Sequence, residues 1–369
     1  MAVSVFTPTR SPFHFRLVDV YGHSIKVTLT INGVAEYVLA KNFEKDGSVL
    51  FEFAELIRDF IEVDKDNVDS WSQAVNITFT VYDDFLENNN AGVVYSSYFD
   101  IIGTDGYNYF DSEDGEIQTL RAITNKVIYR LNDADVKIPI NRNRAEEITY
   151  LYKGKIVRTQ AITSSTTSIF QVIGTDIDSF KERVLSENGT YEDNVCIDAI
   201  LGEVDLNAVD KIIISGEPVL GNKIVEVIDV VTIDECRYTP AKLSFVNRFG
   251  AVQDIWFFKK SIEKMNVSKE KYKSNIYSNF GYSNQHQYKQ FNVVGNKSIT
   301  LNTGYVSEDY NEPMKEILLS EKVWMEMDGK ITPMNVKTNS LTFKTRANDN
   351  LVDYSLDLDY AFDMINSVR

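Results

Sequence analysis

The chain is poor in the residues that carry covalent and metal chemistry. It holds two cysteines, Cys196 and Cys236, and three histidines, His14, His23 and His286, in 369 residues. Two thiols are too few for a disulfide framework and have no metal-ligand spacing, so both are expected to be buried or half-buried thiols. H-E-x-x-H, C-x-x-C and G-x-S-x-G are all missing, which removes the usual sequence basis for zinc hydrolysis, thiol redox chemistry and an activated serine. Neither G-x-x-x-x-G-K-[ST] nor G-x-G-x-x-G occurs, so no phosphate-cradling loop is expected. Long apolar runs are absent as well, none approaching the roughly 18 residues of a membrane-spanning helix. Met1 to Arg10 lacks the charged-then-apolar pattern of a signal peptide. Positive charge is also in deficit, with 38 basic against 54 acidic residues and a net charge of −16. Such a chain repels phosphate backbones and anionic membranes over most of its surface. The expectation is a soluble protein, made in a cytoplasm, with no cofactor, no metal, no enzymatic activity, no membrane insertion and no nucleic acid as its main partner.

What the chain does have is core-forming material. Hydrophobic residues make up 43% and aromatic residues 12%, including 20 Tyr and 21 Phe, which excludes a disordered chain. A chain of this length ordinarily divides its apolar residues among several cores. Alternation dominates the pattern. Val27, Leu29 and Ile31 share one face of a strand, with Lys26, Thr28 and Thr30 on the other. Asn32-Gly33 then supplies a type I′ turn that returns the chain as a hairpin. From Val49 the period lengthens, and Phe53, Leu56, Ile57, Phe60 and Ile61 predict a short amphipathic helix. Strands follow at Val75 to Val81 and Val93 to Ile102, then around Ala122 to Leu131, Glu147 to Tyr152, Ile169 to Ile173, Lys211 to Ser215 and Lys223 to Ile233. A possible helix spans Asp176 to Asn188. Leu243 to Val246 and Val252 to Phe258 flank a turn at Asn247-Arg-Phe-Gly250. Ser340 to Thr345 and Asp353 to Tyr360 suggest a terminal hairpin, and Ala361, Phe362 and Ile365 a closing helix. The fold class is therefore mainly β, with two to three β-sandwich-like domains in series and a few short helices. Expected spans are 1–115, 116–206 and 207–369.

One segment departs from this pattern. Between about 259 and 290 the chain carries Lys259, Lys260, Lys264, Lys269, Lys271 and Lys273, followed by a Tyr/Asn/Ser/Gln-rich run with Tyr277, Tyr282 and Tyr288. With little periodicity of its own, it reads as an extended basic arm or as a solvated loop. An arm has a physical motive on so acidic a chain, because lysines and tyrosines can dock on the acidic face of a neighbouring copy. Acidic clusters elsewhere have weaker claims. Asp357 and Asp359 sit about 6 to 7 Å apart by strand rise, a spacing open to glycosidase chemistry but also to a solvated strand face. The runs 64–69 and 111–116 are rich in carboxylates yet miss the twelve-residue calcium loop. Trp71, Trp256 and Trp324 could stack on sugar rings, the basis of an alternative reading as a carbohydrate-binding or receptor-binding adhesin.

Several phrases resemble virion structural proteins, tail, collar or ring components, of crAss-like and related tailed bacteriophages of Bacteroidetes hosts. They are Cys236-Arg-Tyr-Thr-Pro240, Phe245-Val-Asn247 with Gly250 and Gln253, and Trp256-Phe-Phe-Lys-Lys-Ser261. Further along come Ile299 to Val306, Glu316 to Trp324, Leu341 to Arg346, Asn348-Asp349 and Tyr360 to Asn366, and Phe51 to Ile61 is similar too. These phrases cover about a third of the chain and include no catalytic motif. The resemblance implies an oligomeric β-domain subunit, arranged in a ring about the tail or neck of a virion and bonded to other tail or portal-proximal structural proteins.

Overall fold

The structure, a computed structural model, describes residues 5–18, 23–31, 33–82, 93–108, 120–131, 136–164, 169–173, 209–216, 224–274, 286–342 and 351–363. The chain is mainly β, in several sheets. It divides into two compact units, Met1–Asp234 with Ser244–Ile255, and Glu235–Leu243 with Trp256–Arg369.

In the first unit a five-stranded sheet runs in the order Val5–Pro8, Val93–Thr104, Ser72–Tyr82, Ser24–Ile31, Val34–Asn42. Alternation builds it as anticipated. Ile25, Val27, Leu29 and Ile31 are buried opposite Val81, Phe79, Ile77 and Val75, of which all but Phe79 are fully covered. Each such aliphatic side chain removed from water contributes about 1.5–3 kcal/mol. Ile31 pairs directly with Val34 around Gly33, whose φ of 79° is the positive value that the turn requires. A two-stranded sheet, His14–Val18 with Ser48–Glu52, lies on the aromatic side: the Phe15 ring is 5.1 Å from Phe99, 5.8 Å from Phe79 and 6.2 Å from Phe53. The expected helix is shorter than its periodicity suggests, because Ser48–Glu52 pairs as a strand and only Ala54–Arg58 is helical (α1). Phe53, Ile57 and Ile61 are nevertheless the buried members of the predicted stripe. Gly103 lets α1 come this close, since a Cβ there would stand 2.6 Å from Ile57 Cγ2.

A second five-stranded sheet in the same unit has the order Lys155–Ala161, Ala145–Tyr152, Lys211–Gly216, Ile224–Ile233, Val127–Leu131. Ala145–Tyr152 pairs with Lys211–Gly216, and Val127–Leu131 runs parallel to Ile224–Ile233. The edge expected near Asn207 therefore falls inside one sheet. Among the described residues, Ala145–Tyr152 and Val127–Leu131 take ladder partners from strands beyond Asn207, a dependence that sequence-local patterns do not register.

In the second unit, strands of one sheet run in the order Val323–Met327, Lys330–Val336, Ser355–Tyr360, Tyr288–Asn302, Ile262–Lys273. Ile299, Leu301, Leu356, Leu358, Met325 and Met334 are buried in it, as are Tyr310, Met314 and Ile317 on and beside a helix at Asn311–Leu319 (α2). The local periodicity of 311–319 does not predict this helix. The terminal hairpin also has a different partner than expected. Tyr354, Leu356 and Leu358 do share a buried face, but Ser355–Tyr360 pairs with Tyr288–Asn302 and Lys330–Val336. Residues 340–342 are not strand, and 343–345 lie outside the described residues. Ala361 to Asp363 are not helical, Phe362 is exposed, and Ile365 lies outside the described residues, as do the possible helix at Asp176 to Asn188 and Cys196. Cys236 is exposed, contrary to the buried thiol expected, because it stands outside the strands after Ile233.

Candidate interaction surface

The basic segment folds as a strand pair. Ile262–Lys273 is antiparallel to Tyr288–Asn302, from Ile262 opposite Thr300 to Lys273 opposite Tyr288. The pairing corrects the expectation of an extended arm without periodicity. Lysine and tyrosine at alternate positions obscure a two-residue repeat that the partner strand makes real. Asn292, at φ 49°, sits where the register shifts between Ser268 and Glu270, so two residues of one strand oppose one of the other. Such a bulge increases the local twist, and asparagine tolerates the left-handed backbone it needs.

Only the base of this pair belongs to the wider sheet. Tyr288–Asn302 meets Ser355–Tyr360 over Ser298 to Asn302 alone. From Gly295 outward to Tyr288, among the described residues, the structure is a two-stranded ribbon about 25 Å long at the usual rise per residue. Every residue of Ile262–Lys273 is exposed. Large apolar side chains are included: Ile262 is 57% exposed, Met265 55% and Tyr288 60%, with Val267, Tyr272, Phe291 and Val293 also open to solvent. Residue parity separates the two faces. Lys269, Lys271 and Lys273 line one face beside Gln290 and Tyr288, while Glu270 and Tyr272 share the other with Phe291 and Lys289. There the Tyr272 and Phe291 rings meet edge to face, 5.7 Å between centroids, as a diagonal cross-strand pair. An isolated two-stranded hairpin is marginal in water, and an unpaired edge strand is a template for another chain.

The other expected arm residues separate from this surface. Lys259 lies before the ribbon, with its Nζ 2.6 Å from Glu235 Oε2 and its backbone N–H bonded to Asn302 O. Its aliphatic stem lies against Gly304, at φ 71°. The Lys259 hydrogen bond, helped by the backbone N–H of Arg237, holds the Glu235 carboxyl below its ordinary pKa. Lys260 is exposed just outside the strand, and Lys264 lies within it on the face opposite the three outer lysines. Tyr277 and Tyr282 lie outside the described residues. At the foot of the ribbon the Tyr360 hydroxyl donates to Glu263 Oε1 at 2.8 Å, and Lys297 stands 3.6 Å from the same carboxylate. Burial, followed by the Glu263 bond, pushes the Tyr360 phenol up to about 12.

The remaining candidates have structural roles. Asp357 accepts a hydrogen bond from Thr300 Oγ1 at 2.5 Å, and Asp359 is paired with Lys337 Nζ at 3.1 Å. Asp66 binds Lys65 at 2.7 Å, which keeps its pKa low, and among the described residues no cluster of three or more acidic, histidine or cysteine side chains could hold a metal ion. The run 111–116 lies outside the described residues. His14, His23 and His286 are exposed. Trp71 and Trp256 are buried at 1% and 8% exposure and Trp324 is half-buried, so these indoles do not form a sugar-stacking platform.

The phrases that carry the phage resemblance are also partly core. Asn247 is fully buried. Its amide nitrogen donates to Ala122 O at 2.7 Å and Gln253 Oε1 at 3.2 Å, and its oxygen accepts from the N–H groups of Phe249 and Ala251. Gln253 passes the network to Asn125 at 2.8 Å. Gly250, at φ 84°, closes the turn where a Cβ would stand 2.7 Å from Thr104 Cβ.

No protein-family model matches the chain, and a search of curated proteins returns no match. Among the described residues, no helix is long and apolar enough to cross a membrane.

Proposed function

We propose that this chain is a non-enzymatic structural subunit of a tailed-phage virion, a tail, neck or collar ring component that oligomerises and contacts other tail or portal-proximal structural proteins. The observation that carries the reading is the ribbon. A two-stranded projection with apolar side chains exposed on both strands is stabilised when another protein covers it, as an assembly subunit arranges. The phrase-level resemblance supplies the virion context, and the turn at Asn247 gives part of that resemblance a structural purpose.

The test is to purify virions of a phage encoding this chain, detect its peptides by mass spectrometry and locate it in a cryo-EM map. The expected result is several copies around the tail or neck axis. A chain found only in lysate, with none in purified particles, refutes the assignment.

A further inference from the structure

We infer that the ribbon formed by Ile262–Lys273 and the outer half of Tyr288–Asn302 docks on the acidic surface of a second copy of this chain, in a head-to-tail contact. The inference deepens the proposed function by naming the partner and the contact. It rests on that reading only for its setting in a particle.

Charge identifies the occupant. The outer ribbon, 268–274 with 287–294, carries Lys269, Lys271, Lys273 and Lys289 against Glu270 alone. It belongs to a chain of net charge −16, so the surface outside the ribbon is more acidic still. A second copy is thus a partner of complementary sign, and complementary potentials both steer encounter and fix orientation. Met265 and Val267, exposed on the face of the three lysines by residue parity, then supply contact area that charge alone does not.

The same charges exclude the symmetric alternative. Pairing Ile262–Lys273 with itself over its full length, antiparallel, sets Lys264 opposite Lys271 twice and brings together two strands with four lysines and two glutamates each. Like charges directly opposed on neighbouring strands are destabilising. A ribbon that avoids its own copy and seeks a different surface makes a heterologous contact, which closes into a ring or runs on as a filament. A twofold dimer does not satisfy it.

Sedimentation velocity on the full chain, at about 50 mM and about 500 mM salt, tests this directly. Species larger than a dimer are expected at low salt, with weaker association at high salt. Lys269→Glu, Lys271→Glu and Lys273→Glu together should raise the dissociation constant by about a hundredfold or more. All three side chains are exposed, so circular dichroism and the thermal midpoint should stay unchanged. Reversing Lys26, Lys155 and Lys330, exposed lysines off the ribbon, adds the same negative charge and should leave association near that of the native chain.

Mixing the ribbon-reversed chain with the native one separates the two geometries. In the head-to-tail contact the reversed chain still accepts a native ribbon but offers none, so it caps and shortens assemblies. If ribbons met each other, Lys against Glu would bind more tightly in the mixture than in either protein alone. That outcome overturns the inference, as do a monomeric native chain at about 100 µM in low salt, association unaffected by ribbon reversal, or a monomer whose ribbon lysines instead retain duplex DNA. Failure here leaves the virion assignment to be judged on particles, and a chain missing from particles leaves a ribbon-dependent assembly in solution intact.

Discussion

Replacing Asn247 by alanine should destabilise the first unit far more than the loss of one polar side chain suggests. The amide makes four hydrogen bonds, two donated and two accepted, in a site with no exposure. Alanine leaves the Ala122 carbonyl, Gln253 Oε1 and the N–H groups of Phe249 and Ala251 to find new partners, and all four residues are buried. A buried group left unsatisfied costs about 1–3 kcal/mol. A water in the space of the missing amide can serve two of the four, and Gln253 keeps its bond to Asn125. The remaining deficit of two groups is about 2–6 kcal/mol, a large share of a domain stability that is ordinarily about 5–15 kcal/mol. Urea unfolding followed by circular dichroism, with hydrogen exchange at the amides of Phe249 and Ala251, reads the effect and assigns it to the turn. In a double-mutant cycle with Gln253→Ala the two losses should not add, because the side chains share a bond. A destabilisation below about 1 kcal/mol, with both amides still protected, would show that the network does not hold the turn.

Other outcomes follow from the same geometry. Gly250→Ala should cost about 2–4 kcal/mol, combining a left-handed backbone with a Cβ 2.7 Å from Thr104 Cβ, and its thermal midpoint should fall accordingly. An unchanged midpoint would contradict the close approach. The Tyr360 phenol is raised in the folded protein, so its contribution is present below about pH 10, the ordinary phenol value, and lost as pH rises toward about 12. Ultraviolet titration should show a late-ionising component near pH 12 that Tyr360→Phe removes. Glu235 works in the opposite sense: its lowered pKa favours the folded state above the ordinary carboxylate range, and that share is lost as pH falls through the folded value. Lys259→Met should therefore make acid unfolding less steep. Exposed Cys236 should react promptly with a thiol reagent in the native protein, and Cys236→Ser should remove one equivalent from that fast phase.

Local patterns reached a good part of the fold. The two-residue alternation in Ser24–Ile31, Ser72–Tyr82 and Ser355–Tyr360, and the turn at Gly33, follow from which side chains seek water and which backbone angles glycine admits. The helix at Asn311–Leu319 was missed because its apolar stripe is short, although Pro313 in its first turn, with Met314 and Ile317 three apart, is a usable signal. The basic segment was legible as unusual in composition and acidic-chain context, but not as a strand pair. Lysine and tyrosine give no hydrophobic period, and only the register with Tyr288–Asn302 reveals that Lys269, Lys271 and Lys273 share a face.

The sequence by itself thus determined that the chain is mainly β, acidic, and without the motifs of common catalytic sites, because composition and nearest-neighbour alternation are properties of the chain alone. Tertiary structure decided which strands meet. It joined Val127–Leu131 to Ile224–Ile233 across about a hundred residues, separated Lys259 from the ribbon through Glu235, and left Ile262–Lys273 at the edge of its sheet. Pairing across long separations depends on hydrogen bonds and packing that no local window contains, and the candidate surface is an outcome of that pairing.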